Sequence, residues 1–333
     1  MLESTAVSSD DTMSETVFCP ICHSARTRFL FEGWDNYYGH PDPSMVYRCC
    51  DCGHIYVAGE PTPEQLTEMY TNYYPRASYD IDDYEPYREK KGFFYWLDGE
   101  EGFAFRHVPE NVRVLDIGCG FCETLGYHQN RGCEVYGVEA DENAKKIAER
   151  YGFNVDIGLF DPKKYEPNFF DYVTTDQVLE HVVAPLKTLQ EIGSVLKPGG
   201  RFIASVPNVS ALGRYFFGSR WLGWHFPYHR HFFTRQSFSL LAKQSGFVVE
   251  TMRSATMSKF LLWNWAFVFY GGAKGKKAAP IFQTLARFDA QTRKRWEVVL
   301  YSLLEKTRLL SLPMRIADLF GIGCWTLVVL RKN

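Results

Sequence analysis

No uninterrupted apolar stretch in this chain is long enough to cross a bilayer. Its most aromatic run, FLLWNWAFVFY at 260–270, covers 11 residues, where about 20 are needed. Positive charge is not in excess either: 37 Lys and Arg stand against 39 Asp and Glu, a net charge of −2. The phosphate-neutralising surface of a nucleic-acid binder is therefore not expected. The opening residues, MLESTAVSSDDTMSETVF, lack the basic start and apolar core of a signal peptide, so a cytoplasmic location with reduced thiols is expected. Internal repeats and low-complexity tracts are missing too. What remains, 333 residues with 46% hydrophobic and 23% charged, suits one large globular domain with something smaller beside it.

Composition and pattern divide the chain into four. A leader covers 1–17, a cysteine-rich module 18–57, a linker or cap rich in Tyr, Pro and acid 58–110, and the main domain 111–333, with a helical insertion at about 255–320. In the linker, TPEQLTEMY predicts a short helix capped by Thr62, with Pro63 in its first turn. Beyond 112 the runs VRVLDIG, CEVYGVE, FNVDIG, FDYVTTD, RFIASVP and FVVETMR predict strands, and CWTLVVLRK a last one. Helices are predicted between them over 122–131, 141–151, 184–196 and 235–245, and LKPGG predicts a helix end followed by a turn. This alternation is the pattern of an α/β, Rossmann-like, doubly wound sheet of seven strands. Such sheets take ligands beyond the carboxyl ends of their strands.

The turn after the first strand reads Asp116-Ile117-Gly118-Cys119-Gly120-Phe121-Cys122-Glu123. A dinucleotide fingerprint has its third glycine where Glu123 stands, and a carboxylate there would repel a pyrophosphate. The turn suits a phosphate-free nucleoside that carries positive charge. S-adenosylmethionine (SAM), with its sulfonium and ammonium, is such a ligand. Asp116 and backbone carbonyls favour that charge, while Gly118 and Gly120 let the main chain come close. Glu139 ends the second strand, where an acid can accept hydrogen bonds from ribose hydroxyls.

VLDIGCG, GVEAD, FDYVTTDQVLEHV and VLKPGGRFIASVPN resemble the class I SAM-dependent methyltransferases, over residues 112–253. The resemblance implies that Asp116, Gly118 and Gly120 border the methionine part of SAM and Glu139 its ribose. Ala140, Asp176 and Gln177 complete the expected cofactor site, with Gly158 to Phe160 near the adenine. It also implies an antiparallel last strand, a place that CWTLVVLRK fits. Cys122 stands where the family often has glycine, which implies a slightly wider loop.

Nine cysteines are present, and five lie between 18 and 57. Cys19 and Cys22 form one C-x-x-C pair, Cys49 and Cys52 a second. Two such knuckles hold four thiolates around zinc, which predicts a closed, structural zinc ribbon, with Gly53 letting backbone N–H groups approach sulfur. Cys50 is the spare. Cys119, Cys122, Cys133 and Cys324 are expected as buried packing.

Methyl transfer from a sulfonium needs the acceptor about 3 Å from the methyl and, for a hydroxyl or carbon acid, a base. The fourth strand ends in TTDQVLEHV, without the Pro-Pro-aromatic run of transferases that act on adenine. Some small-molecule O-methyltransferases carry Glu-x-x-Glu-His here together with a metal. Gln177 takes the first place in this chain, so no active-site metal is expected. His181 is a candidate base. WHFPYHRHFFT, at 224–234, adds His229 or His231 as base, with Tyr228 positioning. It resembles a Pro-x-His-x-x-x-Phe segment of methyltransferases from polysaccharide and secondary-metabolite clusters. Carbon-methylating enzymes of nucleotide-linked ketosugars have Tyr-His-Glu-His there, and Arg230 stands in the place of the acid. A metal is not expected among these histidines, for want of an adjacent carboxylate. Arg214, Arg220 and Arg230 are candidates to clamp a phosphate, and Tyr70, Tyr73 and Tyr74 to roof the cofactor.

The expected activity is SAM-dependent methylation of a small-molecule acceptor, a hydroxyl of a sugar or a phosphate-linked metabolite. The rivals are C-methylation of a nucleotide-linked ketosugar and, from another class, a zinc-ribbon scaffold or a SAM sensor without turnover. The aromatic run followed by GGAKGKK, together 260–277, offers a peripheral contact with the inner face of a membrane. A helical cap or a dimer contact is the favoured reading of it.

Overall fold

The computed structural model describes residues 16–74, 81–280, 303 and 307–333. Most of the leader and much of the expected insertion lie outside these residues.

Three short strands come first: β1 (Thr27–Gly33), β2 (Ser44–Cys49) and β3 (Ile55–Val57). Helix α1 (Pro63–Glu68) starts as predicted, with Thr62 accepting from the Gln65 N–H and the Gln65 side chain returning to Thr62. A single π turn, Met69–Tyr73, follows it, and α2 (Phe93–Asp98) lies further along. The main domain then runs β4 (Arg113–Ile117), α3 (Glu123–Gln129), β5 (Glu134–Glu139), α4 (Ala144–Tyr151), β6 (Asn154–Ile157), β7 (Phe170–Asp176), α5 (Pro185–Val195) and β8 (Leu196–Pro207). It continues through α6 (Leu212–Phe217), β9 (His231–Phe232), α7 (Arg235–Gln244), β10 (Phe247–Ala255), α8 (Ser258–Tyr270), α9 (Ser311–Leu319) and β11 (Trp325–Lys332).

Seven of these strands form one sheet, in the order β10-β11-β8-β7-β4-β5-β6. All its pairs are parallel except those of β11, which is antiparallel to both β8 and β10. This is the doubly wound architecture that the alternating pattern predicts, with the last strand inserted antiparallel. Strand β4 carries Val114, Leu115 and Ile117, all buried, as a strand covered by helices on both faces should. Helix α4 buries Ala144, Ile147 and Ala148, a stripe at helical spacing.

LKPGG behaves differently from its prediction. The helix ends at Val195 and Leu196 already pairs with Phe170, so the segment is an irregular start to β8, with the register shifting before Tyr172 meets Arg201. Gly200 is fixed there by close approach: a Cβ would sit 3.0 Å from the Asp171 carbonyl oxygen and 2.9 Å from that of Lys197.

The second sheet has four strands, in the order β1-β2-β3-β9. Its last member is two residues of the histidine-rich stretch, Phe232 opposite Ile55 and His231 opposite Tyr56. The pairing joins the cysteine module to the main domain, and the cores follow suit. Cys19, Ile21, Cys49, Cys52 and Tyr56 share one apolar cluster with Phe233 and Phe238. Val46, Ile55 and Val57 share another with Trp221, Trp224, Phe226 and Phe232.

Candidate active site and metal centre

The glycine turn sits at the carboxyl end of β4, beside the point where strand order reverses. Gly118 has φ +79°, and a Cβ there would come within 2.5 Å of Val178 Cγ2, so only glycine fits. Gly120 faces open space, room that a ligand can enter. Its N–H donates to Glu139 Oε2 at 2.9 Å, and the Asp141 N–H donates to Oε1 at 2.9 Å. Glu139 is thus held in place at the strand end with lone pairs to spare. Cys122 has φ +67°, a left-handed conformation that explains why glycine is common at this position.

The remaining residues expected at the cofactor divide by what they touch. Asp116 is buried, and its carboxylate accepts hydroxyl bonds from Thr174, at 2.6 Å, and from Thr124. Burial pushes it up to about 7. It braces the turn against β7 and α3. Asp176 accepts from the Ala104 N–H at 2.7 Å and the Ser205 hydroxyl at 2.6 Å. Gln177, with φ +55°, donates to Ser205 Oγ at 3.1 Å. Ala140 is exposed just past β5, and Gly158, also facing open space, donates its N–H to the Glu139 carbonyl.

After Gln177 the chain turns without forming a helix until Pro185, so His181 sits on a loop and not at a helix start. Glu180 is the hub of this loop. Its carbonyl accepts the N–H groups of Arg230, at 2.8 Å, and His231, at 3.1 Å, which ties the 224–234 stretch to the end of β7. The Glu180 side chain is fully buried, and neither carboxyl oxygen has a hydrogen-bond partner among the described residues. His229 lies beside it, with Nε2 3.8 Å from Oε1. The His181 and His229 rings lie 4.7 Å apart, centre to centre, and His225 lies 4.9 Å from His229. Burial raises Glu180 to about 8, lowers His181 to about 4 and His225 to about 3, and holds His229 well below the usual range.

This geometry also changes one premise of the sequence reading. A carboxylate does stand beside the histidines, supplied by Glu180 across 49 positions of chain. Glu180 and His225 were not among the candidate site residues. Glu180 stands with His181 in the place of Glu-x-x-Glu-His, after Gln177, and nothing local connects it with His229.

His231 has a different setting. Its Nδ1 lies 3.1 Å from His54 Nε2, and His54 Nδ1 lies 3.3 Å from Ser237 Oγ. Ser237 is the partner in the capping box of Thr234, the predicted cap of α7. A buried line of polar groups therefore runs from the cysteine module to α7. Tyr228 is buried with its hydroxyl unpartnered among the described residues, and packs against Tyr38, Tyr70 and Tyr74 at centroid distances of 5.6, 5.6 and 5.0 Å. Tyr70 also reaches His181 Nδ1, at 3.4 Å, while Tyr73 packs on His40. Buried Asp35 accepts the N–H groups of Tyr37, Tyr38 and His40 and so fixes the arm that carries Tyr38.

The three arginines do not converge. Arg214 lies over the Tyr215 ring at 4.6 Å, Arg220 donates to the Val268 carbonyl at 2.9 Å, and buried Arg230 donates to the Gly59 carbonyl.

The cysteine module brings Cys19, Cys22, Cys49 and Cys52 together. Cys19 Sγ lies 3.5 Å from Cys52 Sγ, and Cys22 Sγ 3.4 Å from Cys49 Sγ, close to the roughly 3.8 Å edge of a tetrahedron with zinc–sulfur bonds of about 2.3 Å. The N–H groups of Ile21, Asp51 and Cys52 point at sulfur. Gly53, which the sequence suggested for that task, bonds the Cys49 carbonyl instead. The four residues fit a metal ion. Cys50 is exposed, whereas Cys119, Cys122, Cys133 and Cys324 are buried.

In the insertion, α8 anchors through buried Asn264, which accepts from the Leu222 N–H and donates to the Arg220 carbonyl. Trp265 and Phe269 remain exposed. Among the described residues no helix is long and apolar enough to cross a membrane.

A seven-stranded sheet with one antiparallel strand, a glycine turn at its switch point and a carboxylate poised at the next strand end define a class I SAM-dependent methyltransferase fold. The methyltransferase-domain family model matches residues 79–252, and the chain belongs to that family. Among curated proteins, a ubiquinone biosynthesis O-methyltransferase from Azoarcus sp. is 33% identical over 120 residues, 34% of this chain and 49% of that protein. Its counterpart from Thiobacillus denitrificans is 31% identical over 123 residues, 35% and 50% of the two chains. The chain thus spans about half the length of the curated relatives it matches. A SAM-dependent methyltransferase from Archaeoglobus fulgidus superposes with a TM-score of 0.41 at 19% identity, over 69% of this chain and 88% of that one.

Proposed function

We propose that the protein transfers the methyl group of SAM to a hydroxyl of an uncharged, ring-shaped small molecule, a sugar or a phenol. One observation carries this reading: the Glu180–His181–His229 cluster lies just beyond the β7 end that bears Asp176 and Gln177, under a roof of Tyr38, Tyr70, Tyr74 and Tyr228. SAM supplies an electrophilic methyl group. Glu139 and the turn at Gly118 and Gly120 hold its nucleoside. Tyrosine faces stack on the acceptor ring and exclude water. The neutral histidines are the bases available to a bound hydroxyl, and His229, oriented by its Nδ1–H bond to the Gly223 carbonyl at 2.9 Å, is the one assigned. Burial, and then nearby Glu139 and Glu180, raise the Tyr74 hydroxyl above its ordinary range.

The relatives named as O-methyltransferases support oxygen as the acceptor atom. The three arginines, each engaged elsewhere, support an uncharged acceptor over a phosphate-linked one. We assign the four cysteines a structural zinc ion that holds the cysteine module against the histidine loop. Calorimetric titration with SAM, followed by turnover on hydroxylated rings with and without phosphate, tests the reading. No SAM binding overturns it entirely, and a preference for phosphorylated acceptors overturns the neutral-ring assignment.

A further inference from the structure

We infer that the exposed faces of α6 and α8, with the lysine loop that follows α8, form a docking surface for a membrane rich in anionic lipid. The inference goes beyond the methyl-transfer reading and does not depend on it.

Helix α8 has 13 residues, a length of about 20 Å, so it can lie on a bilayer but not cross one. Leu262, Asn264 and Phe267 turn inward and are buried, whereas Trp265 and Phe269, one turn apart, are 50% and 70% exposed and stack at 6.3 Å. The run at 260–270 does not reveal by itself that α6 lies alongside: Phe217 meets the Trp265 ring edge-on at 5.5 Å. On α6 the neighbouring Tyr215 and Phe216 are 69% and 76% exposed. Large aromatic side chains therefore reach solvent from two adjoining helices. Apolar residues exposed singly need no explanation, but a cluster of them does.

Charge selects the occupant. Across 211–222 and 258–280 the sequence has six Lys and Arg and no Asp or Glu, although the whole chain carries a net charge of −2. Lys274, Lys276 and Lys277 are exposed just past the end of α8. Their loop is held firmly, since the Gly272 N–H donates to the Asn36 carbonyl and the Ala278 N–H to the Tyr37 carbonyl. Lys274 lies over the Trp34 ring at 5.4 Å. The loop passes close to Pro41, so exposed Asp42 beside it offsets one of these charges at most. A contact between two copies of the chain would tend to exclude lysine, which is depleted in protein interfaces. The boundary of an anionic bilayer takes both kinds of side chain, aromatic rings at headgroup depth and lysines among the phosphates. Asn264 ties this surface to Arg220 and Leu222, at the start of the segment that leads into the histidine stretch.

The test uses the full chain in co-sedimentation with vesicles of phosphatidylcholine alone and of phosphatidylcholine mixed with phosphatidylglycerol. The wild type is expected to sediment with the mixed vesicles only, and to be released as salt rises. Exchanging Lys274, Lys276 and Lys277 together for Gln should weaken binding by roughly 100-fold. Phe216→Ser combined with Phe269→Ser should weaken it by about tenfold or more. Both variants are checked for folding by circular dichroism, and the lysine variant, which alters only exposed side chains, carries the test where the aromatic one fails to fold. No sedimentation with mixed vesicles, equal sedimentation with both kinds, or equal binding of wild type and variants overturns the proposal. So does a dimer in light scattering that the aromatic variant disperses, which would assign the face to a second copy.

Discussion

Two clusters of metal-capable side chains sit among the described residues, and they are assembled in opposite ways. Cys19, Cys22, Cys49 and Cys52 come from two local knuckles, each closed within four residues. Glu180 and His181 come from the end of β7, whereas His229 comes from a loop 48 positions beyond His181. The first cluster offers four soft ligands, the second two imidazoles and one carboxyl group. A closed set stabilises a fold, and an open one can act on a ligand. The lesson is that the closed set holds the open one in place: β3, which follows the second knuckle, pairs with β9, two residues after His229.

Breaking the closed cluster should have the largest effect. Structural zinc contributes on the order of 10 kcal/mol in small modules, so Cys49→Ser should release the ion, measured by mass spectrometry of metals. Hydrogen exchange over 224–234 should then rise sharply and turnover should vanish. SAM affinity should persist, because the glycine turn belongs to the other sheet. Unchanged exchange in the loop would show that the two clusters are independent.

Breaking the open cluster should be milder for the fold and severe for the chemistry. His229→Ala should lower kcat by roughly 100-fold or more, with the SAM dissociation constant unchanged by calorimetry. His231→Ala sharpens the contrast. It leaves His54 without its partner at 3.1 Å, a loss of about 1–3 kcal/mol for a buried polar group. Thermal melts should register it, while the residual kcat of the folded fraction stays near that of wild type.

Acid provides a finer test. His128 and His231 are buried and lowered to about 3, burial being the main cause. In the unfolded chain they titrate near 6.5. Below that pH the unfolded state binds protons that the folded state refuses, so stability falls as pH drops from about 6.5 toward 3. Urea titrations at pH 7.5 and 5.5 should show it, and His128→Phe should flatten the slope. The most local effect is expected at Gly118→Ala. Strain at φ +79° and the contact with Val178 should weaken SAM binding by about 1–3 kcal/mol without touching the zinc content.

Much of the site was legible in order but not in contact. The turn at Asp116, the acid at Glu139 and the four cysteines could be read because each pattern is local: a strand end, a glycine, a spacing of three. The cap at Thr234 was legible for the same reason. Other roles were not. Asp116 looked like an open carboxylate, yet Thr124 and Thr174 claim it, and Thr174 is 58 residues away. Arg214, Arg220 and Arg230 looked like a clamp because they are close in sequence, but each bonds or stacks with a different neighbour. LKPGG looked like a turn, although pairing with β7 draws it into β8.

The sequence alone determined the strand and helix alternation, the glycine turn, the four-thiolate knuckles and the exclusion of a bilayer-spanning run, since each depends on residues within a few positions of one another. Only the tertiary structure decided that two residues of the histidine stretch would complete the cysteine module's sheet, and that a buried Glu180 would face His229. Those contacts span tens to hundreds of positions. They exist because burying the Trp224, Phe226 and Phe232 face against β2 and β3 leaves the loop one place to lie, and no local pattern encodes that choice.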